Sequence, residues 1–258
     1  MPAMKPWIHL EGKVAIITGG SRGIGESIAK AFGQSGAEVA IASRKLDGVN
    51  AAAERLRSEG VKVEAFACHT GKSDQVEELV RAVIARFGRV DVLVNNAATN
   101  PHFGPMMSAD DGMFDKTFEV NAKGYLNMAR AVARHLIDRG APGSIINIAS
   151  IMGLGSAPLQ GLYGMTKAAV ISMTQTLAHE LGPSNIRVNA IAPGLVETRF
   201  ASVIVSNKDI ADREAARTPL GRYAQPDEIA GAALYLASDA ASFMTGHTMV
   251  VDGGRTIT

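Results

Sequence analysis

The chain has 258 residues, 47% of them hydrophobic, and a formal net charge of +1 at pH 7. This length allows one substantial core, and we expect a single α/β domain over residues 1–258. The near-neutral charge and the absence of long blocks of like charge argue against nucleic acid or an acidic membrane as a partner.

The N-terminal stretch MPAMKPWIHLEGK lacks the apolar core of a signal peptide, and no run approaches the roughly 18 apolar residues of a membrane span. We expect residues 1–12 to form an N-terminal extension of a soluble, cytoplasmic protein. The single cysteine, Cys68, excludes an intrachain disulfide and suits a reducing compartment. We interpret it as a small buried hydrophobic residue and expect no metal site.

Short apolar runs alternate with helical patterns along the chain, which is typical of parallel strands joined by crossover helices. Most runs are apolar on both faces, as strands covered by helices on both sides must be. The sequence therefore predicts a Rossmann fold, a doubly wound parallel sheet of about seven strands with helices on both faces. The predicted strands are 13–18, 38–43, 62–68, 90–96, 144–150, 186–193 and 247–254. The least regular segment, 195–223, is predicted to form a flap.

A glycine-rich stretch, TGGSRGIGES, follows the first predicted strand at 18–27. Gly19 ends the strand and can turn with a positive φ, whereas Gly23 and Gly25 allow close approach of a phosphate and of the next helix. The spacing G-x-x-x-G-x-G indicates a pyrophosphate site at a helix N-terminus. The alternative is a purely structural strand-to-helix turn.

The end of the second predicted strand is where a dinucleotide fold contacts the adenosine ribose. The sequence there is IASRKLD, with Ser43 and Arg44 and no carboxylate at the strand end. A carboxylate would repel a 2′-phosphate, whereas Arg44 presents a planar guanidinium to it and Arg22 adds a second positive charge. This pattern predicts NADP(H) as the cofactor. The alternative is that Arg44 is a solvated arginine at the start of a helix.

A third group of residues follows the fifth predicted strand. Ser150 closes that strand, and Tyr163 and Lys167 are four residues apart, so on a helix they share one face. Such a helix can direct a phenol at a substrate oxygen, and an adjacent ammonium lowers the pKa of a tyrosine. By itself, Tyr-x-x-x-Lys is usually an exposed helical pair.

Together these motifs resemble those of the short-chain dehydrogenase/reductase family from about Lys13 to Gly254. TGGSRGIG is similar to the cofactor loop of that family, and NNAA is similar to its N-N-A-G motif, with Ala98 in place of glycine. VNAKG contains Asn121 at the position where the family has its structural and proton-relay asparagine. APGLVETRF resembles its P-G-x-x-x-T segment.

The resemblance implies four catalytic residues, which are Asn121, Ser150, Tyr163 and Lys167. It implies that Lys167 holds the nicotinamide ribose and lowers the pKa of Tyr163, while Asn121 positions a water. The expected cofactor-binding residues are Gly19, Ser21, Arg22, Gly23, Ile24, Gly25, Ser43, Arg44, His69, Thr70, Asn96, Ala97, Ala98, Tyr163, Lys167, Pro193, Gly194, Val196 and Thr198.

CHTGK, with His69, and NNAATNPHFGP are similar to the tetrameric NADPH-dependent carbonyl and retinal reductases of animals. The chain ends RTIT rather than in a peroxisomal S-K-L-type signal, which favours a bacterial-style cytoplasmic relative. His69 either contacts the adenine or caps a turn, and His102 and Phe103 either line the substrate mouth or pack within their loop.

The expected activity is hydride transfer between NADP(H) and a carbonyl or secondary alcohol, with a hydrophobic ketone or aldehyde as substrate. The flap at 195–223 is expected to bind that substrate, and the protein is expected to be a homotetramer. Alternatives on the same fold are a 3-oxoacyl-thioester reductase and an NAD-linked alcohol or sugar dehydrogenase. An alternative of another class is a nucleotide-sensing protein without turnover.

Overall fold

The structure, a computed structural model, describes residues 8–201 and 208–258. Its strands form one parallel sheet in the order β3-β2-β1-β4-β5-β6-β7. The predicted Rossmann fold is therefore confirmed, with strand ends that differ from the predicted ones by no more than three residues. The strands are β1 (Val14–Thr18), β2 (Glu38–Ser43), β3 (Val63–Ala67), β4 (Val92–Asn95), β5 (Gly143–Ile148), β6 (Ile186–Pro193) and β7 (Thr248–Val251).

Eight α-helices lie in the described part of the chain, and one of them is extended by a π-helical turn. The turn covers Glu119–Lys123 and joins the fourth helix to the fifth. The helices are α1 (Gly23–Gln34), α2 (Leu46–Ser58), α3 (Ser73–Phe87), α4 (Asp111–Phe118), α5 (Gly124–Asp138), α6 (Gly161–Leu181), α7 (Lys208–Ala216) and α8 (Pro226–Ala237). None of the helices in these ranges is both long and apolar enough to cross a membrane.

The sheet separates two apolar cores because side chains alternate between its faces. In β1, Ala15 and Ile17 face the core formed with α1, α2 and α8, whereas Val14 and Ile16 face the core formed with α3, α5 and part of α6. Burial on both faces explains why the strand sequences are almost continuously apolar.

Residues that flank the sheet also contribute to its packing. Leu10, within the predicted N-terminal extension, is 1% exposed and belongs to the core beneath α1 and α2. The predicted flap is described over 195–201 and 208–223, and 202–207 lies outside the described residues. Within it, Val196 forms a parallel bridge with Ala224.

The chain reverses direction across the sheet between β1 and β4, so the connections that follow these two strands diverge. In doubly wound sheets a crevice opens at this point, outside the carboxyl ends of the strands. Gly19 and Gly23 both have a positive φ there, at 66° and 56°. The glycine loop therefore turns as the sequence predicts.

Gly25 provides a test of how tightly α1 packs on this loop. A Cβ at Gly25 would overlap the Gly19 carbonyl oxygen and lie 2.5 Å from Asn96 Nδ2. We expect Gly25→Ala to lower the free energy of unfolding by about 1–3 kcal/mol, as overpacking does. The measurement is urea denaturation followed by circular dichroism.

Gly231→Ala in α8 is the matched control, because a Cβ at Gly231 would meet no atom within 4 Å. This change should raise stability by about 0.5–1 kcal/mol, since alanine favours a helix interior over glycine. Equal stabilisation by both substitutions would contradict the close packing at Gly25.

Candidate active site

A cleft of about 240 Å³ opens at the carboxyl edge of the sheet. It extends from the glycine loop and the end of β2, past the ends of β3 and β4, to α6 and the start of the 195–223 segment. The predicted site residues that line it are Gly19, Ser21, Arg22, Gly23, Ile24, Ser43, Arg44, His69, Thr70, Asn96, Ala97, Ala98, Tyr163, Lys167 and Thr198. Motifs that are far apart in the sequence therefore meet at the carboxyl edge of the sheet.

The ends of β1 and β4 are joined by side chains from both strands. Thr18 Oγ1 accepts hydrogen bonds from the backbone N–H groups of Asn96 (3.0 Å) and Ala97 (3.1 Å). Asn96 Nδ2 donates to the carbonyl oxygens of Thr18 (3.0 Å) and Gly19 (3.1 Å). These bonds connect the NNAA segment to the glycine loop and keep both at the floor of the cleft.

The glycine-loop end of the cleft has the features that a dinucleotide phosphate requires. None of the described side chains caps the N-terminus of α1, so its first backbone N–H groups are available to an anion. Arg22 and Arg44 are exposed at this end, and no described carboxylate forms an ion pair with either. Guanidinium groups that pair with no described carboxylate and lie beside a helix N-terminus fit a phosphorylated cofactor.

His69 lies at the same end of the cleft as Arg44. Its Nδ1 is 3.2 Å from the Gly71 backbone nitrogen, which donates to it, and its Nε2 is 3.0 Å from Lys116 Nζ. Burial, followed by the positive charge of Lys116, lowers the pKa of His69 below its usual 6.5. The imidazole is therefore neutral at pH 7 and adds no positive charge beside Arg44.

Tyr163 and Lys167 lie at the opposite end, near the start of α6. Tyr163 is partly exposed, and its ring is 5.6 Å from that of Phe200. Lys167 is 1% exposed, and its Nζ donates to the carbonyl oxygen of Ile148 (2.6 Å) and to the hydroxyl of Tyr125 (3.2 Å). Lys167 Nζ is 5.5 Å from the centroid of the Tyr163 ring.

The proton affinities of this pair differ from the sequence prediction. Burial raises the pKa of Tyr163 to about 12, although a hydrogen bond with Ser150 opposes the rise. Burial also lowers the pKa of Lys167 to about 7. The prediction that Lys167 lowers the pKa of Tyr163 is thus wrong for this arrangement, because the amine is directed at Ile148 and Tyr125.

Asn121 lies in the π-helical turn and is fully buried. Its Oδ1 accepts from the Thr99 backbone N–H (2.8 Å), and its Nδ2 donates to the Thr99 carbonyl (2.9 Å) and to Thr166 Oγ1 (3.1 Å). The amide thus joins the loop after β4 to α6. Both amide hydrogens of Asn121 are therefore used, so a water that this residue positions would have to donate to its Oδ1 or to its backbone carbonyl.

Several predicted site residues lie beside the cleft rather than in its lining. Ser150 is buried two residues beyond the end of β5, and its Oγ accepts from the Met152 backbone N–H (3.2 Å). Gly25 packs on Gly19, and Gly194 packs on Asp252. Pro193 is the last residue of β6, and the Val196 side chain is buried in the core beneath α1. Contacts from these two residues to a ligand would come from the backbone.

The cleft also contains residues that the motifs did not indicate. They are Ala42, Cys68, Val120, Ile148, Arg199 and Phe200. Arg199 and Phe200 directly follow Thr198, so the predicted segment could have been extended to include them. Cys68 is buried as predicted, and burial raises its pKa to about 11.

The match to one family covers most of the chain. A family model described as enoyl-(acyl carrier protein) reductase matches residues 19–256. Human dehydrogenase/reductase SDR family member 4 is 38% identical over 245 residues, which are 95% of this chain and 88% of that protein. The Arabidopsis thaliana short-chain dehydrogenase/reductase SDRA is 39% identical over 246 residues, 95% of each chain.

Solved structures agree with these matches. A gluconate 5-dehydrogenase from Burkholderia cenocepacia, in complex with NADP and tartrate, superposes with a TM-score of 0.93 at 36% identity, over 98% of each chain. A short-chain type dehydrogenase/reductase from Mycobacterium marinum gives 0.93 at 35%, also over 98% of each chain. The fold and these matches define an oxidoreductase with a Rossmann fold. The chain belongs to the short-chain dehydrogenase/reductase family.

Proposed function

We propose that this protein transfers hydride between NADP(H) and a carbonyl or secondary-alcohol substrate. The supporting observation is that one cleft has two uncommitted arginines and a helix N-terminus at one end, and Tyr163 with Lys167 at the other. An anionic dinucleotide matches the first end, and a polarised carbonyl matches the second. Three relatives of known structure hold NADP, and they are described as two gluconate 5-dehydrogenases and a 2-deoxy-D-gluconate 3-dehydrogenase.

The proposed catalytic roles follow from the positions and pKa values of the side chains. The bound cofactor supplies the hydride. With a pKa of about 12, Tyr163 is protonated at neutral pH and can donate its proton to the oxygen of a carbonyl being reduced. Ser150, which opposes the rise in the pKa of Tyr163, would orient the phenol and the substrate oxygen. Lys167 would hold the ribose hydroxyls, since this residue is part of the lining of the same cleft.

Removing the phenolic proton tests this assignment. We expect Tyr163→Phe to reduce kcat at least about 10²-fold, the usual scale of a positioned acid, while NADPH binding changes little. Steady-state kinetics and fluorescence titration of NADPH measure the two effects. Near wild-type turnover in the variant would show that another group supplies the proton.

Cofactor choice is the second part of the proposal. Charge-assisted hydrogen bonds contribute roughly 1.5–3 kcal/mol, and about 1.4 kcal/mol corresponds to tenfold in affinity. We therefore expect NADPH to be preferred over NADH at least about tenfold in kcat/KM, with a preference that shrinks as salt increases. Arg44→Ala should weaken NADPH and leave NADH nearly unchanged, and Ser43→Asp should favour NADH by repelling the 2′-phosphate.

Arg81→Ala is a matched control for Arg44→Ala, since Arg81 is an exposed arginine of α3 paired with Glu78. It removes the same charge away from the cleft lining. Preference of the wild type for NADH, or equal damage to both cofactors in Arg44→Ala, would favour an NAD-linked dehydrogenase.

The substrate that we propose is a hydrophobic ketone or aldehyde, as in the carbonyl reductase branch. Leu154 and Leu159 precede α6, and Phe200 lies against Tyr163. All three side chains are about half exposed.

One observation favours a second candidate, a sugar-acid substrate. Asn100 Nδ2 donates to Gln160 Oε1 (3.1 Å), and Gln160 precedes Tyr163 by three residues at the start of α6.

Oxidation of NADPH with ketones, aldehydes, keto-sugar acids and acyl thioesters separates these substrate classes. A nucleotide-sensing protein would bind NADPH and reduce none of them.

We also propose the cytoplasm as the compartment, because the buried, unpaired Cys68 suits a reducing environment.

We further propose a homotetramer. Met165 and Ala168 of α6 and Phe114 of α4 are exposed, and Phe243 before β7 is fully exposed. Light scattering at micromolar concentration should give a mass of about four 27.0 kDa chains. A stable monomer on dilution would contradict this expectation.

A further inference from the structure

Among the described residues, Tyr125 has the largest fully buried side chain, and it lies in the first turn of α5, directly after the π-helical turn. Its exposed fraction is 1%. The ring packs against Ala149, Val170 and Ala190, between the ends of β5 and β6 and helix α6. A tyrosine hydroxyl at such a depth requires hydrogen-bond partners, and those partners indicate what it does.

The Tyr125 hydroxyl is one corner of a triangle of hydrogen bonds. It donates to the Ile148 carbonyl oxygen at 3.1 Å and accepts from Lys167 Nζ at 3.2 Å, while Lys167 Nζ also donates to the Ile148 oxygen at 2.6 Å. A carbonyl oxygen can only accept, so the phenolic proton points to Ile148. The lone pairs of the Tyr125 oxygen are therefore left for the lysine amine.

The Tyr125 oxygen is important for the charge on the Lys167 amine because of what else surrounds that amine. In the described chain, no carboxylate pairs with Lys167 or is among the groups that shift its pKa. The titratable groups that face it are two neutral phenols, Tyr125 from α5 and Tyr163 from its own helix. Lys167 Nζ is also 4.9 Å from the Tyr125 ring centroid, within the range of a cation–π contact. The phenol thus favours the ammonium form through its oxygen and its ring.

We infer that Tyr125 is a positioning residue for the reaction, which holds Lys167 Nζ at the cleft end of β5 and keeps the amine protonated near neutral pH. The inference rests on the proposed role of Lys167 in catalysis. Burial lowers the pKa of Lys167 and so opposes the ammonium form. The two oxygens that accept from Nζ, those of Ile148 and Tyr125, stabilise the ammonium form by hydrogen bonding. The Ile148 acceptor is backbone, so Tyr125 is the side chain through which substitution can change the charge on the amine.

Buried amide side chains form hydrogen bonds with the backbone of Tyr125 and, through a chain of contacts, with α6. Asn95 Nδ2, on β4, donates to the Tyr125 carbonyl oxygen at 3.2 Å and to Asn147 Oδ1 at 3.0 Å. Asn147 Nδ2 in turn donates to Thr174 Oγ1 of α6 at 2.9 Å. The elements that carry Tyr125 and Lys167 are therefore connected through polar groups as well as apolar packing, which keeps the hydroxyl at a set distance from the amine.

The direct test is the pKa of Lys167 in the cofactor-free protein, measured by NMR with ¹³Cε-labelled lysine. The resonance is assigned by its loss in Lys167→Met. Loss of one acceptor of a charged donor should lower the pKa of Lys167 in Tyr125→Phe by at least about one pH unit. Tyr235→Phe, on α8, is the control and should leave this pKa unchanged. An unchanged Lys167 pKa in Tyr125→Phe, or an equal decrease in both variants, would overturn the inference.

A measurement on the wild type covers the case in which Tyr125→Phe does not fold. With ¹³Cζ-labelled tyrosine, the resonance of Tyr125 should shift at the same pH at which Lys167 titrates, whereas the resonance of Tyr235 should not. A Tyr125 resonance that is flat through the Lys167 titration would overturn the inference as well.

The pH profile of reduction separates this inference from the proposed function. If Tyr125 keeps Lys167 charged, kcat of Tyr125→Phe should be about fivefold below wild type at pH 7 and should recover to within about twofold at pH 6, where the amine is protonated again. A loss of the same size at both pH values would indicate a structural defect and contradict the inference. Failure of the proposed function appears separately, as retained turnover in Tyr163→Phe.

Discussion

The hydrogen bonds between the ends of β1 and β4 are the constraint on which the cleft depends. Thr18 and Asn96 join two strands whose following connections diverge, so the sheet opens a crevice at that position without separating. Asn96 also bonds the Gly19 carbonyl, which a side chain at Gly25 would displace. Small residues and one amide therefore keep the glycine loop close to the sheet. The remaining site residues are attached to neighbouring strand ends and so meet at this crevice.

Burial controls the chemistry at the other end of the cleft. It raises the pKa of Tyr163 and lowers that of Lys167, so each group favours its neutral form and their proton affinities, which are similar in water, move apart at the site. Neutral oxygens, rather than a carboxylate, face the amine. An acid that is protonated at pH 7 beside an amine that titrates near pH 7 is suited to donating a proton and recovering it.

The motifs allowed most of the site to be predicted because they lie at strand ends, where a parallel sheet brings distant segments together. Arg44 follows β2, Asn96 follows β4, and Ser150 follows β5. Tyr125 carried no such signal. It lies inside a helix, in a stretch with an ordinary amphipathic pattern. Its contact with Lys167 joins residues that are 42 positions apart in the sequence. Asn121 was recognised, but its bonds to Thr99 and Thr166 could not be inferred from spacing.

By itself the sequence determined the parallel sheet, its helical layers, the turn at Gly19 and the pairing of Tyr163 with Lys167 on one helical face. Each of these depends on local periodicity or on backbone freedom, which neighbouring residues set. Only the tertiary structure decided where the Lys167 amine points and which way the pKa of Tyr163 moves. Both depend on how far water is excluded and on which distant oxygens are within reach, and these properties arise only when β5, α5 and α6 pack together.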